Sequence, residues 1–283
     1  VSSLKERSLK LHKDKKGKFE ILPKVPLRNA DDLSLAYSPG VAEPCRVIHE
    51  NPDAIYTYTT KQNTVAVVTD GSAVLGLGNI GAKAALPVME GKAVLFKEFA
   101  GIDGIPVCLD TQDVDEIVET CQHIAPTFGG INLEDIAAPR CVEIEKRLVS
   151  LLDIPVFHDD QHGTAIVTAA ALLNACRLTK RKMQDLEIVL AGTGAAGYAI
   201  AKLLSSLGIK RLYAFNKEGI VRPSKQSSYD APLQELIDKK IVSEPASSDI
   251  DTLEGLMKGT DVFIGVSVGN LIGADAIRGM NKD

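Results

Sequence analysis

The chain has 283 residues, is 45 % hydrophobic and carries a formal net charge of -5. That length allows about two domains with separate cores. The acidic balance excludes a general affinity for nucleic acid, and no apolar run approaches the ~20 residues of a membrane span. Cys45, Cys108, Cys121, Cys141 and Cys176 are scattered, odd in number and without a CxxC pair, which fits reduced thiols in a cytoplasmic protein.

The first eighteen residues carry Lys5, Arg7, Lys10, Lys13, Lys15, Lys16 and Lys18 against Glu6 and Asp14, a pattern that predicts a solvated helix. From Thr64 onward, short apolar runs alternate with helix-length segments. Residues 65–69, 93–96, 105–109 and 154–157 read as strands. Residues 113–124, opened by an Asp cap, and 139–151, with Pro139 in the first turn, read as helices. Alternation of this kind predicts an α/β domain with a mostly parallel sheet over residues 1–160. The Ala-rich stretch 162–178 is apolar almost all round, so it is expected to lie as a helix between two layers and to bridge to a second domain, 161–283.

That second domain opens with a strand at 186–191 running straight into Gly192, Thr193, Gly194, Ala195, Ala196 and Gly197. A helix at 195–207 and a strand at 211–215 complete a βαβ unit, the context in which GxGxxG marks a Rossmann-type dinucleotide site with pyrophosphate at the helix N-terminus. An earlier copy, Gly76, Gly78 and Gly81, begins well after its strand and is expected to serve a tight loop and close helix packing. Where the fingerprint places an acid for the ribose, this chain has Asn216 and then Lys217. This weakens selection of NAD and leads to the expectation that NADP is accepted at least comparably.

Two segments carry adjacent carboxylates at the end of an apolar run: Glu134 and Asp135 after residues 130–133, and Asp159 and Asp160 after 154–157. Acids after a strand commonly cap the next helix. Two such pairs beside a glycine-rich turn also suit a hard divalent cation, Mn²⁺ or Mg²⁺. His158 to His162 nearly spells the helical zinc-protease motif, but Asp replaces the Glu, Pro155 lies just upstream and Gly163 follows at once. His158 and His162 are left with capping or packing roles.

Together DLSLAYSPGVAEPC (32–45), VTDGSAVLGLGNIG (68–81), NLEDIAAPRC (132–141), FHDDQHGT (157–164) and the 192–197 turn resemble malic enzyme, specifically its compact bacterial-type branch. The resemblance runs from about residue 30 to the end in the family's order and spacing. It implies Glu134, Asp135 and Asp160 as metal ligands, Asp159 as the acid beside the last of them, Lys92 as general base and Tyr37 as general acid. Alone, Lys92 would pass for a surface lysine before a strand and Tyr37 for a turn tyrosine.

The implied reaction is oxidation and decarboxylation of malate to pyruvate, with NAD or NADP reduced, in a homodimer or higher homo-oligomer. Alternatives are a malolactic enzyme that returns the hydride to make lactate, and a nucleotide-sensing module without activity. Two features depart from the pattern. Ala73 stands where animal members carry an arginine, and the substrate-binding asparagines expected further along are missing. With few strands after 211–215, the chain is expected to be a C-terminally truncated form of a longer protein.

Overall fold

A computed structural model describes residues 3–282. It forms two compact units, one built from residues up to 136 together with 144–157, the other from 137–143 together with 158 onward.

In the first unit, α1 (Leu4–Lys15) starts with a capping box between Ser3 and Glu6 and buries no residue, as expected for a solvated basic helix. Helices α2 (Ala30–Ala36), α3 (Ala42–Glu50) and α4 (Ile55–Tyr58) follow, and no residue from 3 to 60 is buried. The core begins at β1 (Thr64–Thr69), followed by α5 (Ala82–Ala100), β2 (Asp103–Cys108), α6 (Val114–Ile124), β3 (Gly130–Leu133), α7 (Arg140–Leu151) and β4 (Val156–His158).

The strand order among the described residues is β2-β1-β3-β4, with β1 parallel to both neighbours. Ala66, Val67 and Val68 of the central β1 are fully buried, which is why this strand reads as an unbroken apolar run. Lys61, just ahead of β1, donates its buried ammonium to the carbonyls of Ala125 (2.9 Å) and Phe128 (2.6 Å), fixing the approach to β3. Burial pulls its pKa below the usual lysine range.

The second unit contains α8 (Asp159–Thr179), β5 (Glu187–Ala191), α9 (Ala195–Ser206), β6 (Arg211–Asn216), β7 (Gly219–Ile220), α10 (Ala231–Asp238), α11 (Leu253–Met257), β8 (Val262–Gly265) and α12 (Ala274–Arg278). Its sheet runs β7-β6-β5-β8, with β6 and β8 parallel to β5 on opposite sides and β7 antiparallel at the edge. Chain order therefore reverses at β5, and the crevice beyond its carboxyl end is where an open α/β sheet binds ligands. At the other end of β5, Asp261 accepts from the Glu187 amide (2.8 Å), Arg181 (3.0 Å) and Asn281 (2.8 Å).

Three expectations are corrected. Residues 93–96 are not a strand but the middle of α5, whose buried Ala82, Ala85, Met89 and Ala93 recur at helical spacing; a four-residue apolar run is too short to separate the two periods. Helix α8 is not buried all round. One stripe, Gln161, Ala165, Ala169, Leu172 and Cys176, is covered, while Ile166, Val167 and Leu178 are exposed. It also starts at Asp159 rather than His162.

The third correction concerns Gly76, Gly78 and Gly81. They turn a loop with φ near +75°, but a methyl at any of them would meet nothing, so they pack no helix closely. That role falls to Gly71, where a methyl would overlap the Gly81 backbone.

Candidate active site and dinucleotide cavity

Glu134 and Asp135 directly follow β3 in the first unit, and Asp159 and Asp160 open α8 in the second. Within the first unit, Glu134 and Asp135 set two carboxylates side by side at the end of β3. Glu134 and Asp135 are buried, at 5 % and 3 % exposure. Asn132 of β3 donates to Glu134 Oε2 at 2.9 Å, and the Glu134 amide pairs with Val68 at the end of β1. Asp135 adopts a left-handed backbone, φ 54°, which Asp tolerates better than most residues, and its carbonyl accepts from the Ala73 amide. Two adjacent buried carboxylates of this kind suit a hard dication, which prefers oxygen ligands.

Lys92 projects from the middle of α5, and its ammonium lies 3.1 Å from Glu134 Oε2. The helix, not a strand boundary, sets its direction. Asp159 and Asp160 sit in the first turn of α8, where negative charge is favoured by the helix dipole. Asp159 folds back over Gly163, where a methyl would overlap its carboxylate; this accounts for the glycine after His162. His158 is fully buried and precedes the helix as its N-cap residue, so the two histidines do not share a helical face as the zinc-protease motif requires.

Tyr37 ends α2 with 68 % of its surface exposed. One residue at the site escaped sequence reasoning. Asp70, 1 % exposed at the end of β1, accepts from the amide and hydroxyl of Ser72 and shapes the turn beside β3. Its position at a strand end was the available signal, obscured by the glycines that follow.

In the second unit, the turn after β5 is built for close approach. Gly192 has φ 111°, and a methyl there would come 2.9 Å from the Val266 carbonyl oxygen; a methyl at Gly197 would overlap the Gly192 carbonyl. Gly194 faces open space. It is also the N-cap of α9 and brings no capping side chain, so the first-turn amides beyond it, from Ala195 and Ala196 onward, remain available to an anion.

A cavity of about 640 Å³ adjoins this turn. It is lined by Gly192, Thr193 and Gly194, by Asn216 and Lys217 at the end of β6, and by Tyr229 and Asp230 before α10. Asn216 Oδ1 accepts from the Glu218 amide at 2.8 Å, which holds the β6–β7 turn. Below the turn, Tyr198 of α9 donates to Glu235 of α10 at 2.7 Å; burial, reinforced by that bond, pushes its phenol up to about 12.

Residues 16–149 match the family described as malic enzyme, N-terminal domain, and residues 161–282 match malic enzyme, NAD binding domain. The chain is 52 % identical to the bifunctional malic/malolactic enzyme of Bacillus subtilis, over 99 % of this chain and 68 % of that one. It is 49 % identical to the NAD-dependent malic enzyme of Geobacillus stearothermophilus, over 94 % of this chain and 55 % of that one. The crystal structure of the NAD-dependent malic enzyme from Thermotoga maritima superimposes with a TM-score of 0.92 at 46 % identity, covering 97 % of this chain and 72 % of that one. Relatives named NADP-dependent malic enzyme are spanned over only 34 % to 36 % of their length.

Proposed function

Because this chain belongs to the malic enzyme family, we propose that it converts malate to pyruvate and carbon dioxide while reducing a nicotinamide dinucleotide. One observation carries the reading: the Lys92 ammonium is held 3.1 Å from the buried carboxylate of Glu134. A base beside a dication site is what oxidation of a hydroxy acid requires.

In this reading Glu134, Asp135 and Asp160 would hold Mn²⁺ or Mg²⁺, and a cation there would supply Lewis-acid polarisation of the substrate. Lys92 takes the proton of the C2 hydroxyl, and a bound nicotinamide would supply the acceptor for the C2 hydride. The C4 carboxylate of the resulting oxaloacetate leaves as CO₂, and Tyr37 donates the proton that C3 takes as the enol becomes pyruvate. Asp159 is the acid beside the last of these ligands. The turn 192–197 and the first-turn amides of α9 would hold the pyrophosphate of a dinucleotide, and Asn216 and Lys217 would face its adenosine ribose.

The active form is a homodimer or a higher homo-oligomer. The support is the uncovered N-terminal region, where Ile21, Leu22 and Leu35 are 81 %, 71 % and 71 % exposed and would be covered by a second copy. A monomer mass by light scattering at micromolar concentration would remove this part of the proposal.

A second reading, malolactic turnover, is favoured by the name of the 52 % identical Bacillus relative. Absorbance at the nicotinamide band with malate, Mn²⁺ and either NAD or NADP tests both. Net dinucleotide reduction with stoichiometric pyruvate supports the first reading, lactate without net reduction supports the second, and no turnover with either dinucleotide overturns both.

A further inference from the structure

The strand end that should carry the ribose acid ends instead in Asn216, yet the cavity it opens into is not short of carboxylates. Among the described residues lining it, Lys217 is the cation and Glu218 and Asp230 are the acids, so the formal charge of the lining is one minus two, or -1. Asp230 comes from a different segment, fourteen positions beyond Asn216, which is why a fingerprint read along β6 does not find it.

Three contacts fix that segment. Tyr229 accepts from the Arg222 amide through its phenol oxygen (2.9 Å), and its carbonyl accepts from Gln234 (2.6 Å). Asp230 is the N-cap of α10, with Oδ1 accepting from the Leu233 amide at 3.1 Å. Helix α10 is tied in turn to α9, the helix of the glycine turn, through Glu235 and Tyr198. The cap engages one carboxylate oxygen and leaves the charge of the group on the cavity wall.

We infer that Asp230 is a specificity-determining residue of the dinucleotide site: it supplies, from the start of α10, the acid that β6 lacks, and biases the cavity toward the unphosphorylated ribose of NAD. The inference rests on the reading of this cavity as the dinucleotide site. A 2′-phosphate would bring close to two negative charges into a lining that is already net negative. Lys217 offsets one acid, not both.

The test is direct binding of NADH and NADPH to the full chain, followed by nicotinamide fluorescence, for wild type and Asp230→Asn. Asn caps helices as well as Asp does, so the variant keeps α10 and removes only the charge. Wild type is expected to favour NADH by about tenfold, and Asp230→Asn to narrow the gap roughly fivefold at low salt, an advantage that fades toward about 0.5 M KCl because exposed charges are screened. An unchanged ratio in the variant, tighter NADPH than NADH in wild type, or a change that ignores salt would overturn the role of Asp230 while leaving the cavity as the dinucleotide site. Failure of wild type to bind either dinucleotide would overturn the cavity reading itself, and this inference with it.

Discussion

The ammonium of Lys92 lies 3.1 Å from Oε2 of Glu134, with only 18 % and 7 % of the two side chains exposed. The pair joins the middle of α5 to the residue after β3, so a basic group and a carboxylate of the candidate metal group share one corner of the sheet. Burial makes each charge dependent on the other, and removing one leaves the other costly.

Lys92→Ala is expected to lower kcat for malate oxidation at least ~100-fold, the usual scale for loss of a general base. NADH affinity, set in the second unit, should stay within twofold. Tyr37→Phe should instead slow protonation of the enol. Stopped-flow absorbance separates the two variants, since hydride transfer precedes the step assigned to Tyr37. Wild-type oxidation by Lys92→Ala would remove the base assignment.

Asp160→Asn is expected to weaken Mn²⁺ binding by roughly 10- to 100-fold, because a neutral amide is a poor ligand for a hard dication. Calorimetric titration of Mn²⁺ into metal-free protein reads this without reference to turnover. Chelator should abolish wild-type activity and added Mn²⁺ restore it. Full activity in excess chelator would leave the carboxylate group without a metal role.

Two glycines of one turn should behave differently. Gly197→Ala places a methyl against the Gly192 carbonyl and should weaken dinucleotide binding about tenfold or more while lowering Tm. Gly194→Ala meets no protein atom, so Tm should be unchanged and only affinity should fall. Thermal melts with and without NADH distinguish them; equal losses of Tm would contradict the packing argument.

Asp261 provides a pH signature. Burial alone would raise its pKa, but bonds from Asn281, the Glu187 amide and Arg181 outweigh that and hold it below the usual carboxylate range. A depressed folded pKa contributes stability that is complete above the unfolded value of about 3.9 and is lost as pH falls through the folded value. Asp261→Asn should therefore cost about 1–2 kcal/mol at pH 7, and its deficit should shrink toward pH 2. Melts between pH 2 and 7 check this, and a constant deficit would show that the charge is not what matters.

By itself the sequence determined the local features: the βαβ unit around the 192–197 turn, the cap at Asp113, the buried runs of β1, β3 and β5, and the acids that follow β3 and β4. Each depends on neighbours in the chain, through periodicity, capping or the backbone freedom of glycine. Residues 93–96 show the limit, since four apolar residues fit a strand as well as a helix until Ala85 and Met89 are seen buried on the same face. Only the tertiary structure decided that Lys92 faces Glu134, forty-two positions away, that Gly71 rather than the first glycine triplet makes the close contact, and that Asp230 enters the cavity of Asn216. Those relationships depend on strand order and on which helix face turns inward, and burial across the whole unit selects both, whatever the spacing along the chain.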